Sequence, residues 1–188
     1  GTTIDRQCGS SQQAVHFAAQ AIACGDMDIV IAGGIESMTR VPMMSNMGDA
    51  KPSKILLEKY EIINQGLSAE RIAEKWDLSR EELDAFSVQS HERAFQAIEE
   101  GRFEKEIVPI EVTKEDGTTE LFSIDEGPRA GTSLETLSGL KTVFDANGRI
   151  TAGNASQMSD GASAVLLMSR EKALELGLTP RARIHTRV

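Results

Sequence analysis

Core-like patterning occupies the two ends of this chain and is absent from its middle, which restricts the fold to a core that is left and later rejoined. Residues 9–23 set Ala14, Val15, Ala18, Ala21 and Ile22 along one helical face, and Gly25 supplies a stop signal. The run Met27-Asp28-Ile29-Val30-Ile31-Ala32 has the length and β-branched content of a buried strand, ended by Gly33-Gly34. Toward the other terminus, residues 162–168 read as a strand, 170–176 as a helix stopped by Gly177, and 182–188 as a further strand. Helices of small residues pack closely on a sheet, so these ends predict an α/β core layer.

The middle follows other rules. From Glu36 the methionines Met38, Met43, Met44 and Met47 alternate with Pro42, Ser45, Asn46 and Gly48 without a period, suiting either an adaptable binding surface or buried packing. A short helix is expected over 68–76, and Ser79-Arg80-Glu81-Glu82 is a capping box opening a long helix toward Glu99, with Phe86, Ala94, Phe95 and Ile98 as its buried side. Segments 107–113 and 119–124 flank Glu115-Asp116-Gly117 and predict a hairpin. Thr132 and Glu135 are expected to cap another helix carrying Leu134, Leu137 and Leu140. The resulting organisation is core over 1–37, an inserted α+β domain over 38–152, and a return to the core over 153–188.

Composition removes several classes of function. With 188 residues the chain can bury a sizeable core, and a formal charge of −9 with a pI near 4.9 argues against a nucleic-acid surface, which needs clustered Lys and Arg. An anionic ligand must therefore find a local basic site. Two cysteines in dissimilar surroundings suggest no disulfide framework, and no Cys/His spacing suggests a metal site, so a reducing, cytoplasmic setting is expected. No apolar run approaches the roughly 20 residues that span a bilayer, so no membrane is expected as a partner. The chain starts at Gly1 rather than Met and reads as a piece of something longer, which leaves organellar import compatible with the sequence.

Cys8 is the first candidate for chemistry. It precedes the helical run directly, where unpaired backbone N–H groups and the positive end of the helix dipole favour a thiolate over a thiol. The alternative is a small buried hydrophobe, the role read for Cys24 among Ile22, Ala23 and Gly25. Arg6 adds positive charge nearby. His16, His91 and His185 lie in separate elements without a surrounding motif and read as structural or solvent-facing. Asn154 and Asp160 read as turn formers, and Glu36 either orients active-site groups or pairs with Arg40 or a partner subunit.

Four segments, in order, carry a resemblance: Asp5-Arg6-Gln7-Cys8-Gly9-Ser10-Ser11, Ala32-Gly33-Gly34-Ile35-Glu36-Ser37-Met38, Trp76-Asp77-Leu78-Ser79-Arg80, and Thr151-Ala152-Gly153-Asn154-Ala155-Ser156 followed by Ser159-Asp160-Gly161-Ala162. Together they resemble the thiolases, acyltransferases that make or cleave 3-ketoacyl-CoA thioesters. The resemblance implies a partial thiolase core, a mixed sheet with helices, carrying a large α+β loop domain. It implies that Cys8 is the nucleophile that becomes acylated. Coenzyme A and acetyl-CoA are implied as substrates, with no permanently bound cofactor. Ser156 matches a serine contacting the pantetheine arm, Ala152 a residue near the adenine end, and Arg129 a basic residue near the phosphates. An acidic protein also needs such a cation on general grounds, although a solvated loop charge is the ordinary reading of an isolated arginine. A homodimer or homotetramer is implied for the full-length protein.

The sequence also departs from the family pattern. Asn64-Gln65 stands where acetoacetyl-type members commonly have His-Met, which tilts the expectation toward a broader 3-ketoacyl substrate. Asp5 stands near a position usually held by Asn, and its charge slightly opposes thiolate formation. The family's Asn-Glu-Ala-Phe segment, its Gly-His-Pro segment with the activating histidine, and its Cys-Gly-Gly-Gly segment match nothing here, so the chain alone is expected to have little or no turnover. Two other readings remain: a ketoacyl synthase relative, disfavoured by Asn154-Ala155-Ser156, and a non-catalytic CoA- or lipid-binding relative in which Cys8 is structural.

Overall fold

Gly25 and Gly34 explain much of how the first part of the chain folds. The structure, a computed structural model, describes residues 1–187 as two compact units: Gly1–Gly48 together with the chain from Met158 onward, and Asp49–Gln157. In the first unit a 3-10 turn, Gln7–Gly9, leads into helix α1, Ser10–Cys24. Gly25, at φ +80°, donates its N–H to Ile22 while Asp26 reaches back to Ala21, closing the helix in the left-handed cap that glycine adopts without strain.

Strand β1, Ile29–Glu36, pairs antiparallel with β4, Gly161–Met168, in a register running from Ile29 opposite Met168 to Glu36 opposite Gly161. Ala18 and Ala19 of α1, with Ala14, Val15 and Ile22 around them, pack on Val30, Ala32 and Leu167 of the sheet. Gly33 and Gly34 do not end the strand, as the sequence suggested, but lie inside it. A Cβ at Gly34 would stand 1.8 Å from Ser11 Oγ, and one at Gly33 3.2 Å from the Ser163 carbonyl. These glycines answer close approach rather than a turn.

Helix α6, Arg170–Glu175, follows β4, capped by Ser169 accepting from Lys172 N–H. The strand expected over 182–188 does not form over 182–187, where no neighbouring strand offers a ladder to the alternating pattern; Val188 lies outside the described residues. Arg187 Nη1 instead donates to the Ala19 carbonyl at 3.4 Å.

The second unit opens with α2, Lys54–Lys59, and α3, Gln65–Lys75. Helix α3 begins three residues before the expected Ser68, because Asn64 Oδ1 accepts Gly66 N–H at 2.8 Å and makes Asn64 the cap. Gly66 is tolerated within the helix because the Phe144 ring occupies the space, 2.2 Å from where a Cβ would stand. The 20-residue helix α4, Arg80–Glu99, starts with the predicted capping box: Ser79 Oγ accepts Glu82 N–H at 3.1 Å, and Glu82 Oε2 accepts Ser79 N–H at 2.7 Å.

Strands β2, Ile110–Thr113, and β3, Thr119–Phe122, form the predicted hairpin in shorter form, with Ile110 opposite Phe122. Helix α5, Leu134–Ser138, is capped by Ser133 and Thr136 rather than Thr132 and Glu135. The helix starts one residue later than expected, freeing Thr132 Oγ1 to donate to the Arg129 carbonyl at 2.8 Å.

Candidate functional site

Cys8 is exposed at the centre of the turn that precedes α1. Gln7 carries the unusual backbone, with φ +46° in a residue that has a Cβ, a conformation that costs free energy unless neighbours impose it. The neighbours do so with short hydrogen bonds. Gln7 N–H donates to Asp5 Oδ1 at 3.1 Å, Ser10 Oγ donates to the Gln7 carbonyl at 2.7 Å and accepts Arg6 N–H at 2.8 Å, and Gly9 N–H donates to the Arg6 carbonyl at 3.0 Å. Asp5 therefore holds the turn in shape through its carboxylate. Arg6 turns its guanidinium to Gln13 Oε1 at 2.5 Å.

Cys24 is also exposed, against its reading as a buried small residue. It ends α1 beyond the stretch where Ala18 and Ala19 meet the sheet. At the end of β1, Asp160 does more than form a turn: its Oδ1 accepts Met38 N–H at 2.7 Å and its Oδ2 accepts the Ser37 hydroxyl at 3.3 Å. It thus ties the segment leaving β1 to the one approaching β4.

The other predicted site residues belong to the second unit, on loops fixed by buried polar groups. Arg149 and Ile150 donate their N–H groups to the two oxygens of Glu70 at 2.7 and 2.8 Å, and Arg149 Nη1 reaches the Ala73 and Leu78 carbonyls at 3.0 and 2.5 Å. Thr151 follows, fully buried, its N–H accepted by Asn154 Oδ1 at 2.8 Å. Asn154 Nδ2 donates to Asp84 Oδ1 at 2.9 Å and to the Arg149 carbonyl at 3.0 Å. Asp84 is 2% exposed, and Arg80 Nε meets its second oxygen at 2.7 Å. A buried carboxylate is tolerated because both oxygens are engaged, one by a cation.

Beside this scaffold lies an open cavity of about 140 Å³ whose lining includes His91, Arg129, Leu137, Leu140 and Ala152. Ala152 and Arg129 thus face a common space, and Ser156 is exposed two residues beyond Ala155's predecessor, Asn154, outside that lining. Arg129 is exposed, and its backbone N–H is accepted by His91 Nδ1 at 3.1 Å, which leaves the ring proton on Nε2. His185 lies in the first unit beside Thr186, and His16 is buried in α1. Among the described residues no group of His, Cys, Asp and Glu is placed to hold a metal ion.

Sequence reasoning missed Asp84, the residue at the centre of this network. Of the buried side expected for α4, Ala94, Phe95 and Ile98 are half-buried, but Phe86 is 73% exposed. The available signal was the Arg80–Asp84 pair at i, i+4, a spacing that allows opposite charges on a helix to meet.

A family model described as the N-terminal domain of thiolase matches residues 1–171. The chain belongs to the thiolase family. It is 50% identical to the steroid 3-ketoacyl-CoA thiolase FadA6 of Mycobacterium tuberculosis over 98% of this chain and 46% of that protein. It is 45% identical to an acetyl-CoA acetyltransferase of Pseudomonas aeruginosa over 97% of this chain and 49% of that one. The fold matches human mitochondrial 3-ketoacyl-CoA thiolase with a TM-score of 0.81 at 33% identity, covering 95% of this chain and 48% of the human one. The Bacillus anthracis acetyl-CoA acetyltransferase matches with a TM-score of 0.80 at 41% identity, covering 96% and 48%. The chain thus spans about half the length of the relatives it matches.

Proposed function

We propose that the protein containing this chain is an acyltransferase that cleaves or forms 3-ketoacyl-CoA through an acyl-cysteine at Cys8. The observation that carries this reading is the exposed thiol on a turn whose strained residue, Gln7, is held by Asp5 and Ser10. A structural cysteine needs no such presentation. In the degradative direction the Cys8 sulfur adds to the 3-keto carbon, and the bond between carbons 2 and 3 breaks. Its electron pair passes to the acetyl-CoA enolate, which takes a proton and leaves. The thiol of free CoA then loses its proton and attacks the acyl-cysteine; the acyl C–S bond to Cys8 breaks, Cys8 leaves as the thiolate, and the shortened acyl-CoA departs. In the synthetic direction an acetyl-CoA carbanion attacks the acetyl carbonyl on Cys8, the carbon–carbon bond forms, the C–S bond to Cys8 breaks, and Cys8 leaves as the thiolate.

The second unit is assigned as the loop domain. Arg129 is assigned to the phosphates of coenzyme A, Ala152 to its adenine end and Ser156 to its pantetheine arm. The shared cavity of Arg129 and Ala152 supports the first two, and the exposure of Ser156 leaves its hydroxyl open to a ligand. A substrate range broader than acetoacetyl-CoA is proposed from Asn64-Gln65 standing where acetoacetyl-type members commonly carry His-Met. Two exposed free thiols suit a reducing, cytoplasmic compartment. Self-association as a homodimer or homotetramer is assigned from the family resemblance.

The test is intact-mass measurement after incubating the full-length protein with acetyl-CoA. An acetyl adduct on Cys8 that disappears in Cys8→Ser is expected; no adduct under conditions that support turnover sinks the covalent mechanism. The 188-residue chain alone is expected to show no steady thiolysis.

A further inference from the structure

One face of α4 carries Arg80, Asp84 and His91, whose spacings of four and seven residues align them on a helix of about 3.6 residues per turn. Each reaches a different wall of the cavity. Arg80 Nη2 donates to the carbonyls of Leu137 and Leu140 at 2.5 and 3.1 Å. Asp84 Oδ1 accepts from Asn154 at 2.9 Å, and His91 Nδ1 accepts from Arg129 N–H at 3.1 Å. Three walls distant in sequence are thereby referred to one rigid element.

We propose that α4 sets the spacing of these walls and that Asp84 is a positioning residue for the nucleotide end of coenzyme A, acting through Asn154 on the 151–156 loop; this rests on the coenzyme reading of the cavity given above. The chemistry lies in the orientation of one amide. A carboxylate accepts and does not donate, so Asp84 admits the Asn154 side chain with its NH₂ toward the helix and its oxygen toward Thr151 N–H. The reverse orientation would bring oxygen against oxygen at Asp84 and leave the N–H of fully buried Thr151 without its acceptor. Ala152, the next residue, takes its place from this arrangement.

The test titrates coenzyme A into the full chain and follows amide hydrogen exchange at Thr151 in the same proteins. Asp84→Asn is expected to weaken coenzyme A binding about tenfold and to speed Thr151 exchange about tenfold, the size of one charged hydrogen bond. The exchanged pair, Asp84→Asn with Asn154→Asp, restores a donor–acceptor contact between the two positions and is expected to recover part of both losses. Ile98→Ala, on the same helix away from the cavity, is expected to lower stability while leaving affinity within about twofold. Should Asp84→Asn fail to fold, Asn154→Ala tests the same contact from its less buried end.

Wild-type affinity in Asp84→Asn overturns the positioning role and leaves the coenzyme reading intact. Equal weakening in Ile98→Ala also overturns it, because lost stability would then suffice. A wild-type chain that binds no coenzyme A removes the coenzyme reading and this inference with it.

Discussion

The turn around Cys8 and the loop around Asn154 are both held by side-chain hydrogen bonds, but one network is wet and the other dry. Asp5, Gln7 and Ser10 make their contacts at the surface, whereas Asp84 and Thr151 are almost wholly buried. An exposed contact competes with water and contributes little net stability; a buried one leaves a desolvated group unsatisfied when broken. The difference separates two kinds of importance. The Cys8 turn is where substitution is expected to remove the proposed chemistry at small structural cost, and the 151–156 loop is where substitution is expected to remove structure first.

The sharpest way to break this contrast is to exchange the Cys8 sulfur for oxygen. Cys8→Ser is expected to abolish acyl-enzyme formation in the full-length protein, a loss of about 10³-fold or more, since an alkoxide is far harder to generate than a thiolate. Its melting temperature should match wild type; a large drop in calorimetry would show that the sulfur is structural. Asp84→Ala is expected to do the opposite. Removing one partner of a buried pair costs about 3 kcal/mol, readable as a lower urea midpoint for the second unit, because Arg80 and Asn154 are left facing a void. A loss under about 1 kcal/mol would place Asp84 among ordinary surface pairs.

How far the sequence announces these regions follows from the range of the interactions involved. The capping box at Ser79 is legible because both of its partners lie within four residues, and the hairpin because its turn is local. The thiolase motifs around Cys8 and Asn154 are legible for a different reason, being contiguous strings. Asp84 is legible as the i, i+4 partner of Arg80 but not as an anchor, because Asn154 lies 70 positions away and a charged side chain looks solvent-facing. Gly33 and Gly34 read as a strand stop for a similar reason: what they accommodate, Ser163 and Ser11, belongs to other elements. Residues 182–187 show the converse, an alternating pattern with no paired strand among the described residues.

Packing inside the first unit gives a smaller effect that tests whether its stability resides in the α1–sheet contact rather than in the Cys8 turn. Gly34→Ala would place a Cβ 1.8 Å from Ser11 Oγ and is expected to cost about 2 kcal/mol through overpacking. Ser11→Gly in the same chain removes the obstructing side chain and should return part of that loss. A double-mutant cycle in urea checks this, and independent, additive effects would mean that the helix simply shifts on the strand.

The smallest effect separates burial from membership of a unit, using a well-made but wet contact in the second unit. The Glu82 carboxyl is held below its ordinary value of 4.5, first by the Ser79 backbone N–H it accepts and then by the Ser79 side chain. A carboxyl lowered by folding contributes its stability above the unfolded value and loses it as pH falls through the folded one. Melting temperature should therefore decline slightly more steeply with acid below about pH 4.5 in wild type than in Glu82→Gln, whose neutral amide can still accept from Ser79. At neutral pH the two should differ by at most about a degree or two, since the cap is exposed and water competes for its hydrogen bonds. A Glu82→Gln loss as large as that of Asp84→Ala would show that position on α4, not exclusion of water, decides what a contact in this unit contributes.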